Sequence, residues 1–159
     1  MKIMPKTNAD YKAIVGIAKS LPQWFTKGGL RQIKYATKKQ HGLVAIENNH
    51  VVGFIFYRKW RRTSYLTWMG VTSSEKRKGI GSKLLAATEV ELRKNKVAEI
   101  RVSTLSRAVK YKPYEETRIF YEKRGFILHH TDRNFYPNGG DRETLIKKLT
   151  NNNNKKIHI

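Results

Sequence analysis

Apolar and polar positions alternate between two periods along the chain. Met1 to Met4 is short and partly apolar and predicts a first strand. Thr7 and Asp10, three apart, form a weak capping-box pattern, and Tyr11, Ile14, Val15 and Ala18 follow at helical spacing until Pro22 ends the element. A second helix is predicted from Thr26 to Lys39, with Leu30, Ile33 and Ala36 inward and the Gly28-Gly29 pair weakening its first turn. Leu43 to Ile46 is a buried run, Asn48-Asn49 supplies a tight turn, and Val51 to Tyr57 returns as the partner of a hairpin. Tyr65 to Val71 is a further strand, whose Gly70 admits the close approach of another backbone or a ligand.

The longest helical pattern runs from Gly79 to Lys96. It places Ile80, Leu84, Leu85, Thr88 and Leu92 on one face, with Lys83, Glu89, Arg93 and Lys96 away from it. Ala98 to Val102 is a strand. Pro113 suits a helix first turn, with Glu115 and Glu116 at its positive end, and Gly125 suits the left-handed residue past its end. Phe126 to His130 and Thr144 to Leu149 are the last two strands. The predicted order is β-α-α-β-β-β-α-β-α-β-β, an α/β mixed sheet with helices on its faces. The domain is expected at residues 1–149, and residues 150–159, too polar to pack, are expected to be a flexible tail.

Composition narrows the classes. A chain of 159 residues suits one domain, and 39% hydrophobic content suits a packed core. No apolar stretch of ~18 residues predicts a spanning helix and none resembles a signal-peptide core, so no membrane partner is expected. The absence of cysteine excludes a disulfide framework, a thiol nucleophile and a thiolate metal site, and agrees with a cytoplasmic location. Thirty-three Lys and Arg against twelve Asp and Glu give a net charge of +21, which attracts nucleic acid, phosphates and acidic proteins. A compositional bias towards Lys, Asn and Ile accounts for that charge equally well.

Chemistry concentrates in Val71–Leu85. A strand ends, a basic loop with Lys76, Arg77 and Lys78 follows, Gly79 and Gly81 sit two apart, and an amphipathic helix begins. The unpaired N–H groups of a helix start, with its dipole, make an anion site that suits a pyrophosphate. The pattern is neither a P-loop nor the three-glycine dinucleotide fingerprint, and it also suits a plain strand-to-helix turn.

Lys76-Arg77-Lys78-Gly79-Ile80-Gly81 resembles the coenzyme A pyrophosphate loop of the GNAT N-acetyltransferase superfamily, Arg/Gln-x-x-Gly-x-Gly/Ala, with Lys76 where Arg or Gln is usual. Thr117–Phe126, with its Phe-Tyr-x-x-x-Gly-Phe pattern, resembles that family's late helix and following strand. The resemblance covers roughly residues 1–149. It implies a GNAT-like mixed, mostly antiparallel central sheet with helices on both faces, and transfer of acetyl from acetyl-coenzyme A to a primary amine without a metal. It implies that Met69, Gly70 and Val71 line the pantetheine, that Lys76, Arg77, Lys78, Gly79, Ile80, Gly81 and Ser82 form the pyrophosphate loop, and that Phe120 lies alongside. It implies that Thr104 or Ser106 approaches the pantetheine arm and that Tyr121 protonates the departing thiolate.

A general base is not evident: the strand from Tyr65 to Val71 has no acidic residue, and Glu75, Glu115, Glu116, Asp132 and His129-His130 have no distinguishing context. The segment Tyr111–Arg118, with Trp24, Phe25 and Trp68, is expected on the acceptor side, although core packing also explains these aromatics. Arg58-Lys59-Trp60-Arg61-Arg62 suits either a solvated hairpin tip or a nucleic-acid contact. The rival reading is therefore a basic nucleic-acid-binding module that uses the same fold without catalysis. The five histidines have no metal-ligand spacing. The acceptor, small molecule or protein, is not identified, and homodimers are common in the superfamily.

Overall fold

Seven strands form one sheet in the order β1-β2-β3-β4-β5-β7-β6, in a computed structural model that describes residues 1–149. The tail expected at 150–159 lies outside the described residues. The strands are β1 (Lys2–Pro5), β2 (His41–Glu47), β3 (His50–Trp60), β4 (Thr63–Val71), β5 (Glu99–Leu105), β6 (Ile127–Asp132) and β7 (Arg142–Lys148). The helices are α1 (Tyr11–Lys19), α2 (Lys27–Lys39), α3 (Ile80–Lys94) and α4 (Lys112–Glu122). Every strand pairing is antiparallel except β4 with β5, which is parallel. The element order matches the one predicted from the hydrophobic pattern.

Strand alternation divides the core in two. Leu43, Ala45, Ile55 and Tyr57 face α3 and α4, where they meet Leu84, Leu85, Leu92, Tyr121 and Phe126. Val44, Phe54 and Phe56 face the other way, against Ile14, Ala18, Ile33 and Ala36 of α1 and α2. Local chemistry sets the element ends. The Thr26 hydroxyl caps α2 by accepting from the Gly29 N–H at 3.2 Å. Asn48 and Asn49 take φ values of 47° and 62°, which closes the β2–β3 hairpin. The Thr7–Asp10 box caps a short 3₁₀ turn, Asn8–Asp10, that leads into α1.

Strand β3 runs on through Arg58, Lys59 and Trp60, paired with the start of β4, where a loop was expected, and two further expectations change. Glu89 does not lie away from the core face of α3. It is buried, and its carboxylate accepts from Lys147 of β7 at 2.7 Å and from Arg93 at 3.4 Å. The helical wheel cannot anticipate a cation delivered from a strand 58 residues away. Strand β5 also continues past Val102 to Leu105, because β7 pairs with it along its full length.

Candidate active site

The parallel pairing of β4 with β5 covers only Thr63 to Leu66 against Glu99 to Val102. Beyond that point the two strands part. The cause is on the other edge of β4: Phe56 pairs with Trp68 and Tyr57 with Leu66, so Thr67 is an extra residue in a β-bulge. A bulge bends its strand and sharpens the local twist, which here turns β4 away from β5. The result is a wedge with exposed main chain on its β4 side.

The direction of that main chain follows from one hydrogen bond. The Thr72 N–H donates to Val52 O of β3 at 2.9 Å. In an antiparallel ladder such residues alternate, so Gly70, opposite Phe54, also directs its main-chain groups to β3. Met69 and Val71 then direct theirs into the wedge. Packing requires a glycine at position 70: a Cβ there would lie 2.9 Å from the Phe54 ring.

A cleft of about 720 Å³ occupies the wedge and continues to the start of α3. Gly79 precedes α3 with φ of 79°, a left-handed conformation that favours glycine, and offers no side-chain cap. The first intrahelical bond is Lys83 N–H to Gly79 O. The N–H groups of Ile80, Gly81 and Ser82 precede it and have no partner within the helix. They lie at the positive end of the helix dipole, in a loop whose Lys76 and Arg77 also line the cleft. The chemistry of this donor set fits a pyrophosphate, and the exposed edge of β4 fits an amide-bearing chain laid alongside it.

Among the residues expected in the site, Met69, Gly70, Val71, Lys76, Arg77, Gly79, Ile80, Gly81, Ser82, Phe120 and Tyr121 all line this one cleft. Three do not. Lys78 points out to solvent and pairs with Glu75 at 2.9 Å. Thr104 and Ser106 are buried away from the cleft, and Ser106 Oγ accepts from the Ala108 N–H at 3.2 Å. Alternation along β5 explains this: Ser103 faces the cleft, and its neighbour Thr104 faces the other side.

Tyr121 is 4% exposed and sits edge-on to both Phe120 and Phe126, with ring centroids 5.1 Å apart in each pair. Burial pushes its phenol well above the usual tyrosine value, against a small opposing effect from Arg124. The ring is therefore held protonated through the neutral range. Among the described residues, the side-chain polar atom that is buried without a partner is Thr72 Oγ1.

Arg124 is a cleft residue whose place the sequence did not reveal. It stacks on the Phe120 ring with its guanidinium carbon 3.8 Å from the centroid, donates to Phe120 O at 2.7 Å, and reaches Ser82 Oγ at 3.1 Å through Nε. Its i, i+4 spacing from Phe120 was the available signal. Trp24 is also fixed in place: its indole donates to Pro113 O at 3.2 Å, and Lys76 lies 4.0 Å above its ring. Tyr111 donates to Gln23 O at 3.0 Å. These two hydrogen bonds tie the α1–α2 connection to the start of α4.

The carboxylates are scattered. Glu75 and Glu116 line the cleft, whereas Asp132 is held below the usual carboxylate range by its hydrogen bonds from Arg142. His130 lines a second, neighbouring cleft. Among the described residues no three His, Asp or Glu side chains gather as a metal-holding group, and no helix is long and apolar enough to cross a membrane.

Residues 38–128 match the family described as acetyltransferase (GNAT) domain, more than half of the chain. The chain belongs to the GNAT family of acetyltransferases. Members of this family use acetyl-coenzyme A, and the bulged β4, the wedge and the glycine loop lie in the matched region. Among solved structures, a protein assigned to the GNAT family from Desulfovibrio desulfuricans superposes with TM-score 0.84 at 20% identity, over 94% of this chain and 100% of that one. The ribosomal-protein-S18-alanine N-acetyltransferase of Escherichia coli gives 0.77 at 18% identity, over 99% of both chains. An aminoglycoside 6'-N-acetyltransferase solved with coenzyme A gives 0.74 at 17% identity, over 94% of this chain and 98% of that one. At these identities the likeness is one of GNAT fold. No curated protein matches the sequence.

Proposed function

We propose that this GNAT enzyme moves the acetyl group of acetyl-coenzyme A directly onto a primary amine, with Tyr121 as the proton donor. The observation that carries the reading is the meeting, in one cleft, of an unpaired strand edge, an uncapped helix start and a buried, protonated phenol. Acetyl-coenzyme A supplies the activated acyl group as a thioester; the protein supplies position and protons. The amides of Ile80, Gly81 and Ser82, with Arg77, hold the pyrophosphate. The main-chain groups of Met69 and Val71 hold the pantetheine as an added strand, and an amide there polarises the acyl carbonyl. As the amine nitrogen bonds to the acetyl carbon and the carbon–sulfur bond breaks, the Tyr121 hydroxyl gives its proton to sulfur. The amine's surplus proton leaves to solvent, and Tyr121 recovers its own.

Thiol release across a panel of amines tests the reading. Acetyl-coenzyme A with a suitable amine gives thiol release that requires both substrates. In the Tyr121→Phe variant turnover falls about a hundredfold while acetyl-coenzyme A binding is kept. Unchanged turnover would remove Tyr121 from the mechanism, and a folded protein that binds nucleic acid but releases no thiol with any amine would favour the non-catalytic module.

A further inference from the structure

The second cleft, of about 780 Å³, meets the first across Leu66, Thr67, Trp68 and Ser103, so the two open on either side of the same bulge. Its lining is charged in one sense only. Arg31 of α2, Arg58 of β3, Arg101 of β5 and Arg142 of β7 converge on it from four elements, and among the described residues no Asp or Glu lines it. The remaining polar groups include Gln32, Gln40, Tyr35 and Tyr65, with His130, which lies 3.5 Å from Asp132.

The four arginines are not equivalent. Arg101 is paired with Glu99, and Arg142 with Asp132 at 2.7 Å. Arg31 and Arg58 have no carboxylate partner among the described residues, and both are exposed. Two guanidiniums without a carboxylate partner, one from α2 and one from β3, line the same groove, and each offers a planar set of donors to carboxylate or phosphate oxygens. The same field raises the cost of bringing in a polycation, because like charges in a partly enclosed groove are poorly screened.

We infer that the acceptor is an anionic amine: its anionic group lies between Arg31 and Arg58, and its nitrogen reaches the thioester at the junction beside Thr67. This inference rests on the proposed transfer reaction and names its substrate class. Two sources share the chemistry, a small amino compound bearing carboxylate or phosphonate and the free N-terminus of an acidic peptide. The breadth of the groove and the spread of its donors admit both.

The test compares kcat/KM in thiol release for glutamate, aminoethylphosphonate, the peptide Ser-Asp-Asp-Glu, the peptide Ser-Lys-Lys-Arg and spermidine. Calorimetric titration of the same compounds into the protein saturated with coenzyme A runs alongside. The better acidic acceptor is expected to exceed the basic peptide and spermidine by at least about tenfold. Arg31→Gln combined with Arg58→Gln, both at exposed positions, should reduce that preference to about threefold or less by raising KM, with the KM for acetyl-coenzyme A unchanged. Which of the two acidic classes leads identifies the source. Thiol release that favours spermidine or the basic peptide, or that is indifferent to the double substitution, overturns the inference and leaves acetyl transfer standing. Arginine-dependent binding of an acidic compound without thiol release upholds anion recognition and rejects the transfer reading. Neither binding nor release with any compound overturns the inference.

Discussion

Tyr121 shows how burial can suit a residue to a proton-transfer role. A phenol in water titrates near 10.0, and burial among Phe120 and Phe126 raises that value further. The sign is simple: the raised value extends the protonated form upward in pH, so Tyr121 remains a donor wherever the acceptor amine is neutral enough to attack. Thiol release measured from pH 7 to 10 is therefore expected to rise as the amine deprotonates, with no descending limb from Tyr121. A fall in rate that moves in a Tyr121→Phe variant would contradict this. Gly79 makes a second point at the same scale. Its φ of 79° needs no space, since nothing lies within 4 Å of a Cβ placed there. Gly79→Ala should still cost about 1 kcal/mol in denaturant unfolding through the left-handed backbone alone, and should weaken acetyl-coenzyme A binding by tilting the first-turn amides of α3. Gly70→Ala is a different case. Its Cβ would strike the Phe54 ring at 2.9 Å, and stability should fall by about 2 kcal/mol through overpacking.

At the level of elements, the decisive feature is one extra residue in β4. Periodicity located β4 and its neighbours β3 and β5 within a few residues, because these strands bury one or both faces and each helix shows an apolar stripe. The glycine loop was legible too, since glycines at a strand-to-helix junction carry a specific conformational meaning. The bulge at Thr67 was not legible. Nothing in Leu-Thr-Trp-Met distinguishes a paired strand from one that leaves its neighbour after Leu66, because the departure is set by cross-strand register. The same reason explains Thr104 and Ser106: the family resemblance implied that one of them approaches the pantetheine arm, but the inward face of β5 is fixed by its pairing with β7. Arg107 shows the structural use of polar groups beyond the site. It holds the buried Glu143 carboxylate through Nε at 2.9 Å and through its backbone N–H at 3.0 Å. Burial works to raise the Glu143 pKa, but the Arg107 hydrogen bonds prevail and lower it below 4.5. This contribution is present above pH 4.5 and is lost as pH falls through the lowered value. Arg107→Ala should cost about 2 kcal/mol at neutral pH, with a smaller loss relative to wild type in acid, as denaturant melts at the two pH values would show.

The whole molecule carries a charge of +21 without being uniformly basic in its chemistry. The acids that are buried, Glu89, Glu99 and Glu143, each meet a lysine or arginine and so serve stability. Of the cations without a buried acid, Arg77 and Lys76 face one cleft and Arg31 and Arg58 the other. The net charge visible in the sequence could not separate these roles, because a sum has no location. The account rests on a claim about main-chain atoms: amides of the β4 edge and of the α3 start grip acetyl-coenzyme A. Residue-resolved amide exchange by NMR, without and with saturating acetyl-coenzyme A, reads those atoms directly. The account predicts slowed exchange and shifted resonances at Met69, Val71, Ile80, Gly81 and Ser82, with Gly70, already committed to β3, little changed. Unaltered exchange at the α3 start and the β4 edge, in folded protein at saturation, would contradict it.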